Sequence, residues 1–187
     1  MEEKFDVLNE YGEFTGEIAT RDECHKKGLW HRAVYAFIID KKGNTLLQKR
    51  SASKKLWPNM WDVTIGGHVD SGEFGRQALI REAKEELGIE LDDSDIKYLV
   101  GSTSINKKGD IINKHYNECY LITKDISISE IKMQKEEVSE VKYFSKDELL
   151  KRISNNYDGL TDKKGPWNFL ERILKKEMWL YDKFIII

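Results

Sequence analysis

The chain has 187 residues, 40% hydrophobic and 34% charged with only two prolines, which fits one globular domain with elaborations. Lys and Arg number 31 against 33 Asp and Glu, a formal net charge of -2, so no overall basic field favours a nucleic acid polymer and an anionic ligand must be held locally. No apolar run approaches the ~20 residues of a membrane span. The acidic start MEEKFDVLNE lacks the layout of a secretory leader, and Cys24 and Cys119 form no close pair, so a reducing cytoplasm is the expected setting.

In chain order, Phe5 to Ala19 reads as a hairpin turning at Tyr11-Gly12. Thr20 to Lys27 reads as a short helix with Thr20 or Asp22 as cap and Gly28 as stop. Strands His31 to Asp40 and Thr45 to Lys49 flank the turn Lys41-Lys42-Gly43-Asn44. Ser51 to Asn59 is a loop carrying Lys54, Lys55, Trp57 and Pro58, and Trp61 to Gly67 a single strand. Phe74 to Leu87 is helical, with Gly88 placed for a left-handed cap. Ile96 to Ile105 and Ile111 to Thr123 form a longer hairpin around Lys107-Lys108-Gly109-Asp110. Val141 to Phe144 is a strand, and Ser145 caps a helix through Ile153. Trp167, Leu170, Ile173 and Leu174 recur at helical spacing, so a last helix packs on the domain. The apolar end WLYDKFIII is expected to pack too, with a homodimer contact as the other use for it. The whole is one α/β domain: an N-terminal hairpin (1–29), a core (30–155) and a C-terminal helical extension (156–187).

The stretch Gly67 to Ile89, GHVDSGEFGRQALIREAKEELGI, carries the chemistry. Gly67 is followed by five free positions and Glu73; seven more lead to Arg81-Glu82, Ala83, Lys84, Glu85-Glu86, Leu87, Gly88 and Ile89. At about 100° per residue, Leu79, Ile80, Ala83 and Leu87 share a stripe that can face a core, and Glu82, Glu85 and Glu86 share an adjoining arc. Crowded carboxylates repel one another unless something positive lies between them, and hard divalent cations prefer such oxygen ligands. A Glu-rich run is ordinarily a solvated helix face; Gly67 and Glu73 at fixed distances upstream favour a metal site here. Arg81 stands at the edge of the arc, where a bidentate bond to Glu73 or Glu85 would orient the carboxylates.

Every fixed position of the Nudix box is met, so the chain resembles the Nudix hydrolases over roughly residues 30–155. Seven fixed residues and two apolar sites match by chance at a given start on the order of once in 10⁹. The resemblance implies an α/β/α sandwich with a mixed central sheet. It implies Mg²⁺, or Mn²⁺, at Glu82, Glu85, Glu86 and Gly67, catalysis by Glu85, Glu82 and Arg81, and structural duty for Gly67, Glu73 and Gly88. In many members an acidic residue shortly before the last core strand acts as base, and Glu136 and Glu137 occupy that place.

A second resemblance is narrower. The segments GLWHRAVYAF and RSASKKLWPNMWDVTIGGHVDSGE are similar to the type I isopentenyl-diphosphate isomerases, which share the fold. In that family three histidines bind a metal, and His25, His31 and His68 stand near their places, although the spacing of His25 to His31 departs from the family's. Glu118, in Asn117-Glu118-Cys119, matches the isomerase's catalytic glutamate; it alternates with Tyr116 and Tyr120 on one strand face, and a carboxylate there is expected to face the site as ligand or base. The Cys those enzymes need before the Gly-His pair is replaced by Gly66, which removes the thiol partner of isomerisation. Taken singly, His31 reads as structural, His68 as a substrate or metal contact, and His25 and His115 as solvent-facing.

The expected function is metal-dependent hydrolysis of a diphosphate bond, in a nucleoside diphosphate linked to another moiety or a similar organic diphosphate. Lys49, Arg50, Lys54, Lys55 and His68 would hold the substrate. Trp57, Trp61, Tyr35 and Tyr116 could stack on it, though aromatics in strands are more often core. An isomerase-like enzyme and a non-catalytic nucleotide-binding regulatory module are the competing classes; the complete glutamate set argues against the module.

Overall fold

The computed structural model describes residues 2–161 and 164–175; the apolar end WLYDKFIII lies outside them. The run Ala33 to Ile39 has no polar alternation, as a strand covered on both faces requires. Strand β3 (Trp30–Ile39) is indeed the hub of a mixed nine-stranded sheet. Strand β8 (Ile111–Thr123) runs parallel to it along its whole length, from Trp30 beside Lys114 to Ile39 beside Thr123. The edge strand β7 (Ile96–Lys108) pairs antiparallel with β8. At one end β1 (Lys4–Leu8) and β2 (Phe14–Thr20) form the N-terminal hairpin, which joins β3 through Leu8 and Trp30.

The other edge of β3 is shared. Ile38 and Ile39 pair with β4 (Thr45–Arg50), whereas Ala33 to Ala36 pair with β6 (Ile65–His68). Strand β5 (Trp61–Asp62) pairs with β4, which β9 (Val138–Phe144) borders on its other side. The expected single strand Trp61 to Gly67 is therefore two short strands on different partners. Thr64 stands in the fork: its hydroxyl accepts from the Ile38 amide at 2.9 Å and donates to the Leu46 carbonyl, so it ties β3 to β4 where they diverge.

Helices cover both faces. Helix α1 (Arg21–Lys27) starts with a capping box between Thr20 and Glu23, ends at left-handed Gly28, and packs across β8. Helix α2 (Gly75–Leu87) sets Leu79, Ala83 and Leu87 against Val34, Ala36, Tyr120 and Ile122. On the opposite face α3 (Lys146–Ser154) and α4 (Lys164–Leu174) pack Leu149, Trp167 and Leu170 against Phe37, Cys119 and Leu121. Trp167 is fully buried, its indole N–H donating to the Thr161 carbonyl at 2.7 Å. The result is the expected α/β/α sandwich. Among the described residues no helix is long and apolar enough to cross a membrane.

Candidate functional site

Helix α2 presents its carboxylates beside the end of β6 because both ends of that helix are fixed by sequence. Phe74 donates its amide to the Gln77 side chain at the start, and Gly88 adopts φ +65° at the finish. Arg81 organises what lies between. Its Nε and Nη2 clamp Glu73 at 3.1 and 3.0 Å, its Nη1 reaches Glu82 at 2.9 Å and Glu85 at 3.3 Å, and Nη2 also donates to the His68 carbonyl at 3.0 Å. Burial works against the guanidinium charge, but the bonds to Glu73 and the charge of Glu82 outweigh it and hold its pKa above the ordinary value.

Gly67 explains itself by distance. A Cβ on it would stand 2.1 Å from Glu82 Oε1, so no other residue lets helix and strand approach this closely without displacing the carboxylate. Burial pushes Glu82 up to about 7, with Arg81 pulling the other way. Burial and then the neighbouring Glu82 push Glu86 up to about 8, against the Gln48 amide that donates to it at 2.8 Å. Glu85 is the exposed member, its side chain 56% accessible.

These groups line a cavity of about 230 Å³. Of the expected basic residues, Arg50, Lys54 and His68 line it, whereas Lys49 pairs with Glu140 at 3.5 Å outside it and Lys55 is exposed elsewhere. Arg50 is braced by Asp62 at 3.2 Å and Lys54 by Glu137. Glu137 lines the cavity and Glu136 does not. Among the aromatic candidates Tyr35 and Trp57 line it; Trp61 and Tyr116 do not.

Two expectations need correction. Glu118 does not face the cavity: its carboxylate accepts from the Tyr120 hydroxyl, lies 3.9 Å from Arg32, and abuts Gly75 at the start of α2. It sits on the other face of β8 from the cavity-lining Asn113 and His115. Nor do His25 and His115 face solvent. His115 is 6% exposed and His25 half-buried, both at the cavity wall with His68, and His31 behind them is fully buried. Burial, and for His25 the neighbouring His31, lowers the His25 and His31 pKa values to about 4, and burial with the neighbouring rings holds His68 well below its ordinary value. At neutral pH His25, His31 and His68 carry lone pairs rather than charge. The signal for His115 was present in the alternation Asn113, His115, Asn117, polar residues on the face that continues as the core residues Cys119 and Leu121. Gln48, Asn106 and Gln134 had no such signal.

Comparison with known proteins agrees with this geometry. The family model described as the NUDIX domain matches residues 29–163. A curated Nudix hydrolase of Listeria monocytogenes is 37% identical over 147 residues, covering 79% of this chain and 82% of that protein. Nudix hydrolase 3 of Arabidopsis thaliana is 38% identical over 158 residues, 82% of this chain, but the chain spans only 20% of the plant protein. A crystal structure from Deinococcus radiodurans shares the fold with a TM-score of 0.69 at 24% identity, covering 93% of this chain and 98% of that one. With the box, the sandwich and the family match in agreement, the chain belongs to the Nudix hydrolases.

Proposed function

We propose that the chain hydrolyses a diphosphate bond in a nucleoside diphosphate linked to another moiety, or in a similar organic diphosphate, with Mg²⁺ or Mn²⁺. The observation that carries this is the packing of Gly67 against Glu82, which brings the Glu82, Glu85 and Glu86 arc to the cavity wall under the Arg81 clamp. The residues fit a hard cation: two of the three carboxylates are buried against each other's charge, the donors are oxygens, and Gly67 leaves room beside them. Glu82, Glu85, Glu86 and the Gly67 carbonyl would hold it. When bound it polarises phosphoryl oxygens as a Lewis acid and offsets the repulsion between substrate and glutamates.

The chain's own groups supply the rest. Glu85, open to solvent, takes the proton of the water that attacks phosphorus. Arg81 holds Glu82 and Glu85 in register through its shared guanidinium, and Glu73 fixes Arg81. Arg50 and Lys54 present positive charge to the phosphates, each kept in place by its carboxylate partner. The expected cellular setting is the cytoplasm.

Isomerase-like chemistry is disfavoured by Gly66. A side chain there would begin 3.1 Å from Val63 and 3.3 Å from Tyr35, and the two described thiols, Cys24 and Cys119, are buried away from the cavity. The deciding experiment is phosphate release from a panel of diphosphate compounds with Mg²⁺ and with EDTA, beside Glu85→Gln. Cation-dependent release that falls about 10²- to 10⁴-fold in the variant supports the reading. Double-bond migration in isopentenyl diphosphate without release would replace it with the isomerase, and tight nucleotide binding without turnover would replace it with the regulatory module.

A further inference from the structure

Four imidazoles meet at the inner wall of the same cavity. His31 and His115 are paired across the parallel strands β3 and β8, and His68 lies opposite Ala33 at the end of β6. Helix α1, packed across β8, brings His25 over the three. One ring nitrogen of each lies within 4.8 Å of those of the other three. Ligands about 2.1 Å from a common ion stand roughly 3.4 Å apart, so modest ring rotations close the set.

Two of the rings point to an occupant. His31 is fully buried, and its Nδ1 lies 2.9 Å from the Leu29 carbonyl, which can only accept; Nδ1 therefore carries the proton and Nε2 a lone pair. Among the described residues that Nε2 is buried without a hydrogen-bond partner, as is Nε2 of His25. Orphaned buried polar atoms destabilise a fold by about 1–3 kcal/mol each, and a Lewis acid is the partner that unprotonated imidazole nitrogens accept. Phe5 stacks on His31 and His68 at centroid distances of 5.0 and 4.8 Å, fixing two of the rings from one side.

We propose that His25, His31, His68 and His115 bind one borderline transition-metal ion of the Zn²⁺ class, at a site distinct from the hard-cation site of the glutamates. Imidazole nitrogen suits zinc, cobalt, nickel and copper, whereas Mg²⁺ selects oxygen. Four neutral ligands leave the ion its full double charge. The positive centre then faces the cavity that holds Glu82 and would hold a diphosphate, so the two sites divide the work of attracting an anion. This inference stands independently of the hydrolase reading.

The test uses the full chain, stripped by chelator dialysis and titrated with Co²⁺ while visible absorption reports imidazole coordination. One equivalent should bind with a ligand-field band, resist excess Mg²⁺, be displaced by one equivalent of Zn²⁺, and raise the melting temperature. His25→Gln and His115→Gln should each weaken Zn²⁺ binding by more than about 100-fold, beyond the loss of a supporting hydrogen bond. The double variant Glu82→Gln/Glu85→Gln should retain it. Because His25 is only half-buried on a short surface helix, its variant decides the matter if His115→Gln does not fold. A folded parent with no band, a band that survives in His25→Gln, or one that is lost with the glutamates would overturn the proposal.

Discussion

Glycine at position 67 and glutamate at position 86 fail in opposite ways when changed. In Gly67→Ala the new methyl must displace the Glu82 carboxylate, 2.1 Å from where it would sit. A shift of about 1 Å at reacting groups can lower turnover by about 10²-fold, so kcat should fall at least that far while the protein stays folded. An unchanged kcat would show that the close approach is not needed. Glu86→Gln acts on stability instead. Folding raises the Glu86 pKa from 4.5 to about 8, mainly through burial, so in chelator-treated protein its charge weakens the fold as pH climbs from about 4.5 towards 8. The variant cannot ionise, and its melting temperature should exceed the parent's by a margin that grows across that window and then levels off. A margin that shrinks with rising pH would contradict this assignment. These residues were legible in the sequence because one loop and one helix fix their spacing. His115 was legible only in part, because its alternation shows which residues share a face and not what that face meets. That this face meets His31 depends on β8 pairing with a strand far earlier in the chain.

At the scale of elements, the hairpins and helices followed from turn residues, caps and apolar spacing, all local signals. The fork at Thr64 did not, since a continuous extended run carries no mark of where it changes partner. Glu118 was misplaced for a related reason: Tyr116, Glu118 and Tyr120 do share a face, but that face turns toward the start of α2 rather than the cavity. The last helix, by contrast, could be read from Trp167, Leu170, Ile173 and Leu174 alone. Truncating its fully buried indole in Trp167→Ala should destabilise the chain by about 3–5 kcal/mol in equilibrium urea unfolding. A loss under about 1 kcal/mol would mean that α4 contributes little to the core on that face.

For the whole molecule, the sandwich holds a group of buried or half-buried carboxylates that a small net charge of -2 does nothing to neutralise. Cation binding should therefore register globally. At about 100 times its dissociation constant, Mg²⁺ should stabilise the chain by about 2.7 kcal/mol in thermal or urea unfolding. The Glu82→Gln/Glu85→Gln variant should show little of that gain, and an equal gain would locate the cation elsewhere.

The stacking of Phe5 on His31 and His68 reaches beyond packing. Phe5 lies on β1, before residue 29 and outside the family-matched stretch, and Glu3 with Arg21 and His25 of α1, all at the cavity wall, precede that point too. Two proteins alike from that point onward but unlike before it would carry the same cutting edge behind different doors. The leading segment, not the shared helix, would then be where relatives diverge in what they admit.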